Sequence, residues 1–147
     1  MKFFGKFKKN DTTEKNYKTV LFVCVENAGR SQMAEAFFKK YAPSQFQVIS
    51  AGTKPSQNVN PIVAKVMEEV GIDIQGKIPQ SISNGMLDGS TVINMGCIDK
   101  ESCPALFVSD VIDWGIDDPK GKPIEEVRVI RDHIEDKVKT FIKNLER

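Results

Sequence analysis

From Lys18 onward, short runs rich in β-branched and aromatic residues alternate with segments whose apolar residues recur every three or four positions. That alternation requires parallel strands joined by helical crossovers, because two parallel neighbours cannot be linked by a tight hairpin. Val20 to Val23 reads as the first strand, Gln47 to Ser50 as the second, Thr91 to Met95 as the third and Asp110 to Trp114 as the fourth. Between the first two, Ser31 to Tyr41 lines up Met33, Ala34, Phe37, Phe38 and Tyr41 on one helical face, and Pro43 closes the segment. Asn60-Pro61 offers a cap and a first-turn proline to a helix with the stripe Ile62, Val63, Val66, Met67 and Val70, which Gly71 ends. Ser81 to Leu87 reads as a short helix. The last helix carries Ile124, Val127, Ile130, Ile134, Val138, Phe141, Ile142 and Leu145, with lysines and Arg147 toward its negative end. Right-handed crossovers then give an α/β fold: a small doubly wound sheet in the order 2-1-3-4 with helices on both faces. Its switch point lies between strands 1 and 3, and ligands bind there beyond the carboxyl ends of the strands.

The 147 residues suffice to bury a core without disulfides or metal. Residues 18–147 are therefore expected to form one domain. Residues 1–17 read as a basic N-terminal extension in which Phe3, Phe4 and Phe7 alternate with lysines. Such a segment is either a solvated tail or a basic amphipathic turn that touches anionic lipid or a partner. With 21 Lys+Arg against 20 Asp+Glu the formal charge is +1, which gives no reason to expect a nucleic acid partner. No apolar run approaches the roughly 20 residues of a membrane span. The start of the chain lacks the apolar core and cleavage site of a signal peptide, and three cysteines make an odd count. These features predict a cytoplasmic chain with reactive thiols rather than a disulfide framework.

Directly after the first strand stands Cys24-Val25-Glu26-Asn27-Ala28-Gly29-Arg30-Ser31. A strand-to-helix turn with small residues lets successive backbone N–H groups of Val25 to Ser31 point at one spot, to which the following helix adds its positive end. The same field favours the thiolate of Cys24, the nucleophilic form. Arg30 supplies a planar fork of donors for two oxygens of a tetrahedral oxyanion. Asn27 suits a left-handed loop position, and Ser31, read as the helix cap, is placed to donate to Cys24. Glu26 would repel an anion and is expected to face solvent. Glu35 reads either as a brace for the loop or as an exposed helix charge. His133 reads as a surface or half-buried helix residue, so Ser-His-Asp and Cys-His machinery are excluded. Neither a Walker A loop nor a GxGxxG fingerprint occurs.

Cys97 follows the third strand, at the same carboxyl edge as Cys24 and next to it in the strand order. Cys103 follows across Ile98 to Ser102, a segment that must bend for Cys97 and Cys103 to come within the roughly 7 Å a disulfide allows. One reading is a relay: Cys24 attacks an oxyanion, Cys97 attacks Cys24, and Cys103 resolves that bond into Cys97-Cys103. Such a relay suits a central atom that accepts two electrons, as arsenic(V) does and phosphorus(V) in water does not. The other reading makes Cys97 a small buried residue and Cys103 an incidental loop residue. The spacing of the three thiols does not resemble zinc ligands, and no metal site is expected. After the fourth strand, Asp118 in Asp117-Asp118-Pro119 is either a turn opener or an acid that protonates the leaving oxygen, with Asp117 as the alternative.

Cys24-x5-Arg30-Ser31 with Asp118-Pro119 resembles the low-molecular-weight protein tyrosine phosphatase fold. Arg30 to Ala36, Ser50-Ala51-Gly52, Cys97 with Cys103, and Trp114 to Pro119 are similar to thioredoxin-coupled arsenate reductases, over roughly residues 18 to 145. The resemblance implies Cys24 as nucleophile, Arg30 as oxyanion clamp, Asp118 as acid, Cys97 then Cys103 as relay thiols, no bound cofactor, and thioredoxin or a similar thiol as reductant. Gly29 and Gln32 replace a cysteine and a proline usual in the phosphatases, and Lys120-Gly121-Lys122 replaces their cleft tyrosines. The Cys97 to Cys103 spacing is one residue shorter than in a typical reductase. Some members bind potassium beside the loop; Asn27, Glu35 and Ser50 resemble those positions, but Gln80 replaces the acidic partner and no required cation is expected. The alternatives are a phosphatase working through a Cys24 phosphoenzyme, and a non-catalytic oxyanion or phosphopeptide binding module.

Overall fold

The computed structural model describes residues 18–96, 101 and 111–145. Cys97, Cys103, Asp110, the extension 1–17 and Arg147 lie outside the described residues. Strand β1 (Lys18–Cys24) runs into helix α1 (Arg30–Tyr41), followed by β2 (Phe46–Gly52), α2 (Pro61–Glu68), the single turn α3 (Asn84–Leu87), β3 (Ser90–Asn94), β4 (Val111–Asp113) and the long α4 (Ile124–Leu145). The four strands form one parallel sheet in the order β2-β1-β3-β4. This is the predicted order. It leaves β1 central, with Cys24 at its carboxyl end paired to Gly52 of β2.

Alternation along β1 divides the core in two. Val20, Phe22 and Cys24 face the larger cluster, where Met33, Phe37 and Phe38 of α1 meet Val63 and Met67 of α2 and Ile130, Ile134 and Val138 of α4. Leu21 and Val23 face a smaller cluster with Ala51 and Val92, against which Met86 and Leu87 of α3 pack. Trp114, just past β4, ties the two ends of the chain together. Its ring lies 5.6 Å from that of Phe22 and 6.0 Å, edge-on, from Phe141.

The Asn60 cap forms as its sequence predicts, its side chain accepting from the N–H groups of Ile62 (2.9 Å) and Val63 (3.4 Å), a contact that contributes about 1 kcal/mol. Two local expectations are corrected. The segment from Ser81 is not helical until Asn84, because Gln80 and Ile82 extend beside β2 and bond to both sides of Gly52 (2.8 and 3.1 Å). Ser31 is not the helix cap either: Gly29 holds that position, its carbonyl accepting from Met33 N–H at 3.0 Å, and Ser31 sits inside the first turn.

Glu69 follows α2 and receives Arg128 (2.8 Å) and Arg131 (3.0 Å) from α4. Arg128, and then Arg131, hold its carboxyl down at about 2 against an ordinary 4.5. A depressed carboxylate adds stability that is complete above the unfolded value and is lost as the pH falls toward the folded one. Thermal melts in low salt are therefore expected to show Glu69→Gln less stable than wild type at pH 7, with the gap closing between pH 4.5 and 2. A gap that persists unchanged at pH 2 would assign the effect to packing instead.

Candidate active site

Residues 24 to 29 form the turn between β1 and α1, and their carbonyl groups are all engaged from outside the loop. Cys24 O accepts from Thr53 N–H, Val25 O from Lys54, Glu26 O from Ser56, Asn27 O from the Gln32 side chain, Ala28 O from Asn60 and Gly29 O from Met33, at 2.8 to 3.2 Å. In a trans peptide the carbonyl and the following N–H point in opposite directions. Pulling the carbonyls outward therefore turns the N–H edges of residues 25 to 30 inward. The start of α1 carries no side-chain cap, so its first N–H groups remain directed at the same place. A ring of donors at a helix N-terminus is a cradle for an oxyanion.

The loop closes tightly because Gly52 lies against it. A Cβ there would stand 2.5 Å from Val25 O and 2.9 Å from Asn27 N. Asn27 adopts φ 53°, the left-handed conformation its residue type suggested. Its N–H donates to Cys24 Sγ at 3.2 Å, and Ser31 Oγ lies 3.0 Å from the same sulfur. Because Ser31 Oγ accepts from Asn27 Nδ2 at 2.8 Å, its own proton is available to the sulfur. Cys24 is 2 % exposed and opens onto a cavity of about 130 Å³; as a thiolate, which can only accept, its sulfur meets two donors.

Arg30 and Asp118 face one another across that cavity. The guanidinium donates to Ile116 O at 2.9 Å and approaches the Asp118 carboxylate at 3.7 Å. Gly96 makes the first contact possible, since a Cβ at that position would lie 3.1 Å from both Arg30 Nη1 and Ile116 O. Asp118 opens a turn, one of the two roles weighed from its sequence context, and lines the cavity beside Cys24. Its Oδ1 accepts Lys120 N–H at 3.0 Å and opens the turn, while Oδ2 looks toward Arg30. Asp117 is exposed.

Glu26 keeps more than a third of its side chain in solvent, as expected, but is not turned away from the cavity. It lines the cavity rim, where Lys120 Nζ (2.8 Å) and Ser56 Oγ (3.0 Å) take its carboxylate. The Lys120 contact holds Glu26 below the usual carboxylate range, with Ser56 and Arg30 acting the same way against burial. The pairing neutralises the charge that would have repelled an anion. Glu35 is a brace and not a surface charge: at 6 % exposure it accepts from Ser50 Oγ at 2.6 Å. His133 is an exposed residue of α4. Lys77, which carried no sequence signal because it lies in the irregular segment after α2, donates to Glu35 at 3.1 Å.

The residues beside the loop do not fit a bound potassium ion. Asn27 turns its Nδ2, a donor, toward Ser50 (3.0 Å), Ser50 gives its proton to Glu35, and the ammonium groups of Lys77 and Lys39 already meet the carboxylate. Among the described residues no cluster of three or more histidine, cysteine and acidic side chains is placed to hold a metal, and no helix is long and apolar enough to cross a membrane.

Residues 19–147 match the family described as low molecular weight phosphotyrosine protein phosphatase. The arsenate reductase 1 of Staphylococcus epidermidis is 40% identical over 126 residues, covering 84% of this chain and 95% of that protein. A solved structure described as an arsenate reductase in the phosphate binding state superposes with a TM-score of 0.76 at 36% identity, over 86% of this chain and 98% of its own. The thioredoxin-dependent arsenate reductase of Corynebacterium glutamicum gives 0.73 at 32% identity, over 91% of this chain and 66% of its own.

Proposed function

The chain belongs to the low molecular weight phosphotyrosine protein phosphatase family, and we propose that it works within that family as an arsenate reductase that draws electrons from a dithiol such as thioredoxin. The size and lining of the cavity carry this reading. About 130 Å³ beside Cys24 suits a tetrahedral oxyanion, and the rim is closed by the Lys120–Glu26 pair where a phosphotyrosine ring would need an aromatic wall. The arsenate reductases it resembles support the same substrate.

In the proposed sequence the inward N–H groups and Arg30 bind arsenate, and the Cys24 thiolate attacks arsenic. Asp118 protonates the oxygen that leaves as water, a task that contributes 10²-fold to 10⁴-fold in rate. Cys97 then attacks the Cys24 sulfur. The electron pair of the sulfur–arsenic bond stays on arsenic, which departs as arsenite, and a Cys24–Cys97 disulfide remains. Cys103 attacks Cys97, frees Cys24 as thiolate and leaves Cys97–Cys103 for the external dithiol to reduce. Both relay thiols lie outside the described residues; the support near them is Gly96, the residue before Cys97, which abuts Arg30.

The test follows arsenate-dependent NADPH oxidation coupled through thioredoxin and its reductase. Cys97→Ser and Cys103→Ser are expected to lose multiple-turnover reduction while retaining any hydrolysis of small phosphoesters. Arsenate turnover that survives either substitution would falsify the relay. Hydrolysis by wild type without arsenate reduction would favour the phosphatase, and anion binding without either turnover the binding module.

A further inference from the structure

Glu35 lies outside the oxyanion cavity, yet a continuous chain of hydrogen bonds joins it to the sulfur. Four links define it: Ser50 Oγ donates to Glu35 Oε1 (2.6 Å), Asn27 Nδ2 donates to Ser50 Oγ (3.0 Å) and to Ser31 Oγ (2.8 Å), and Ser31 Oγ meets Cys24 Sγ (3.0 Å). The direction of each link follows from the next. Gln80 N–H bonds Asn27 Oδ1 at 2.9 Å, and a backbone N–H can only donate, so Nδ2 must face the two hydroxyls. The carboxylate can only accept, so the single proton of Ser50 goes to Glu35 and its lone pair to Asn27. Ser31 likewise accepts from Asn27 and has one proton left, which the Cys24 thiolate, an acceptor only, receives.

We propose that Lys77 is a positioning residue for Cys24: its ammonium, helped by Lys39, is the counter-charge of the buried Glu35 carboxylate, and that carboxylate, through Ser50, anchors the Asn27 amide that holds the Ser31 hydroxyl against the thiolate. The geometry of the charges supports the assignment. Lys77 Nζ and Lys39 Nζ stand 3.1 and 3.2 Å from Glu35 Oε2, from two different segments, and Lys40 and Asp73 line the groove around them. A carboxylate buried this deeply without a partner would be costly and would not hold one geometry. The charged groups on the other side of the sulfur, Arg30, Asp118, Glu26 and Lys120, line the oxyanion cavity, and Glu35 is not part of that lining. Removing Lys77 frees the carboxylate to move and Ser50 to rotate, which takes one anchor from the Asn27 amide and loosens the Ser31 hydroxyl held against the sulfur.

The proposal rests on Cys24 being the reacting thiol, and its test reads that thiol directly. Wild type, Lys77→Met, Lys77→Arg, Lys39→Met, Glu35→Gln and the double variant E35Q/K77M are alkylated with iodoacetamide at pH 6, and modification of the Cys24 peptide is followed by mass spectrometry. Lys77→Met is expected to slow Cys24 alkylation about tenfold, Lys39→Met about threefold, and Lys77→Arg to stay within about twofold of wild type. In the Glu35→Gln background, itself slowed about tenfold, loss of Lys77 should add nothing, since its effect runs through the carboxylate. Wild-type alkylation rates in Lys77→Met, or an equal slowing with and without the Glu35 charge, overturn the proposal. A wild-type protein that alkylates as described but reduces no arsenate would sink the proposed reaction and leave this role of Lys77 standing.

Discussion

Cys24→Ser is expected to abolish arsenate turnover and phosphoester hydrolysis together, a loss of at least about 10⁴-fold, while the protein stays folded and still binds a tetrahedral anion. The cradle is built mainly from main chain whose carbonyls are tied outward by Thr53, Lys54, Ser56 and Asn60, and none of those bonds involves the sulfur. A serine hydroxyl fits the space and keeps Ser31 and the Asn27 N–H as neighbours at 3.0 and 3.2 Å from the present sulfur position. What disappears is chemistry. An alcohol is not deprotonated by donors that favour a thiolate, and oxygen cannot join a disulfide. Steady-state assays give the loss, and calorimetric titration with phosphate gives the retained binding. Residual arsenate reduction by this variant would mean that Cys97 or Cys103 begins the reaction.

The sheet order was readable because each strand announces itself as a short apolar run and each crossover as a helical stripe. Val20 to Val23 and the Ile124 to Leu145 stripe are examples. The turn between β1 and α1 was equally readable, since a cysteine, an arginine and small residues fall together directly after the first strand. Legibility ended where partners come from distant segments. Nothing local to Glu26 foretells Lys120, and nothing near Glu35 foretells Lys77, because both pairings depend on how loops at the strand ends converge. Gly96 is similar: its need for a small residue arises from the Arg30 contact with Ile116, three elements brought together at one sheet edge. Ser31 was given the right neighbour and the wrong backbone position, since the helix starts one residue earlier than its apolar periodicity does.

Arg30→Lys is expected to lower kcat/KM about 10²-fold to 10³-fold, with most of the loss in kcat, although charge and approximate length are kept. At 4 % exposure the guanidinium spans two groups at once, the Ile116 carbonyl through Nη1 and the Asp118 carboxylate through Nη2. A lysine ammonium is a point donor and cannot reproduce that fork. If it turns to Ile116, the oxyanion loses the flat pair of donors that tightens as its geometry changes during attack. If it turns to the anion, the buried carbonyl of Ile116 is left without its donor, at about 1 to 3 kcal/mol. The second case predicts a lower melting temperature along with the lost activity, and the first predicts lost activity alone, so thermal melts beside the kinetics separate them. The loss falls on kcat because an ammonium still attracts the ground-state anion, whereas only the fork follows the charge as it moves onto the leaving oxygen. A lysine variant within threefold of wild type in both kcat and KM would show that charge suffices and that the Arg30 geometry serves the fold alone.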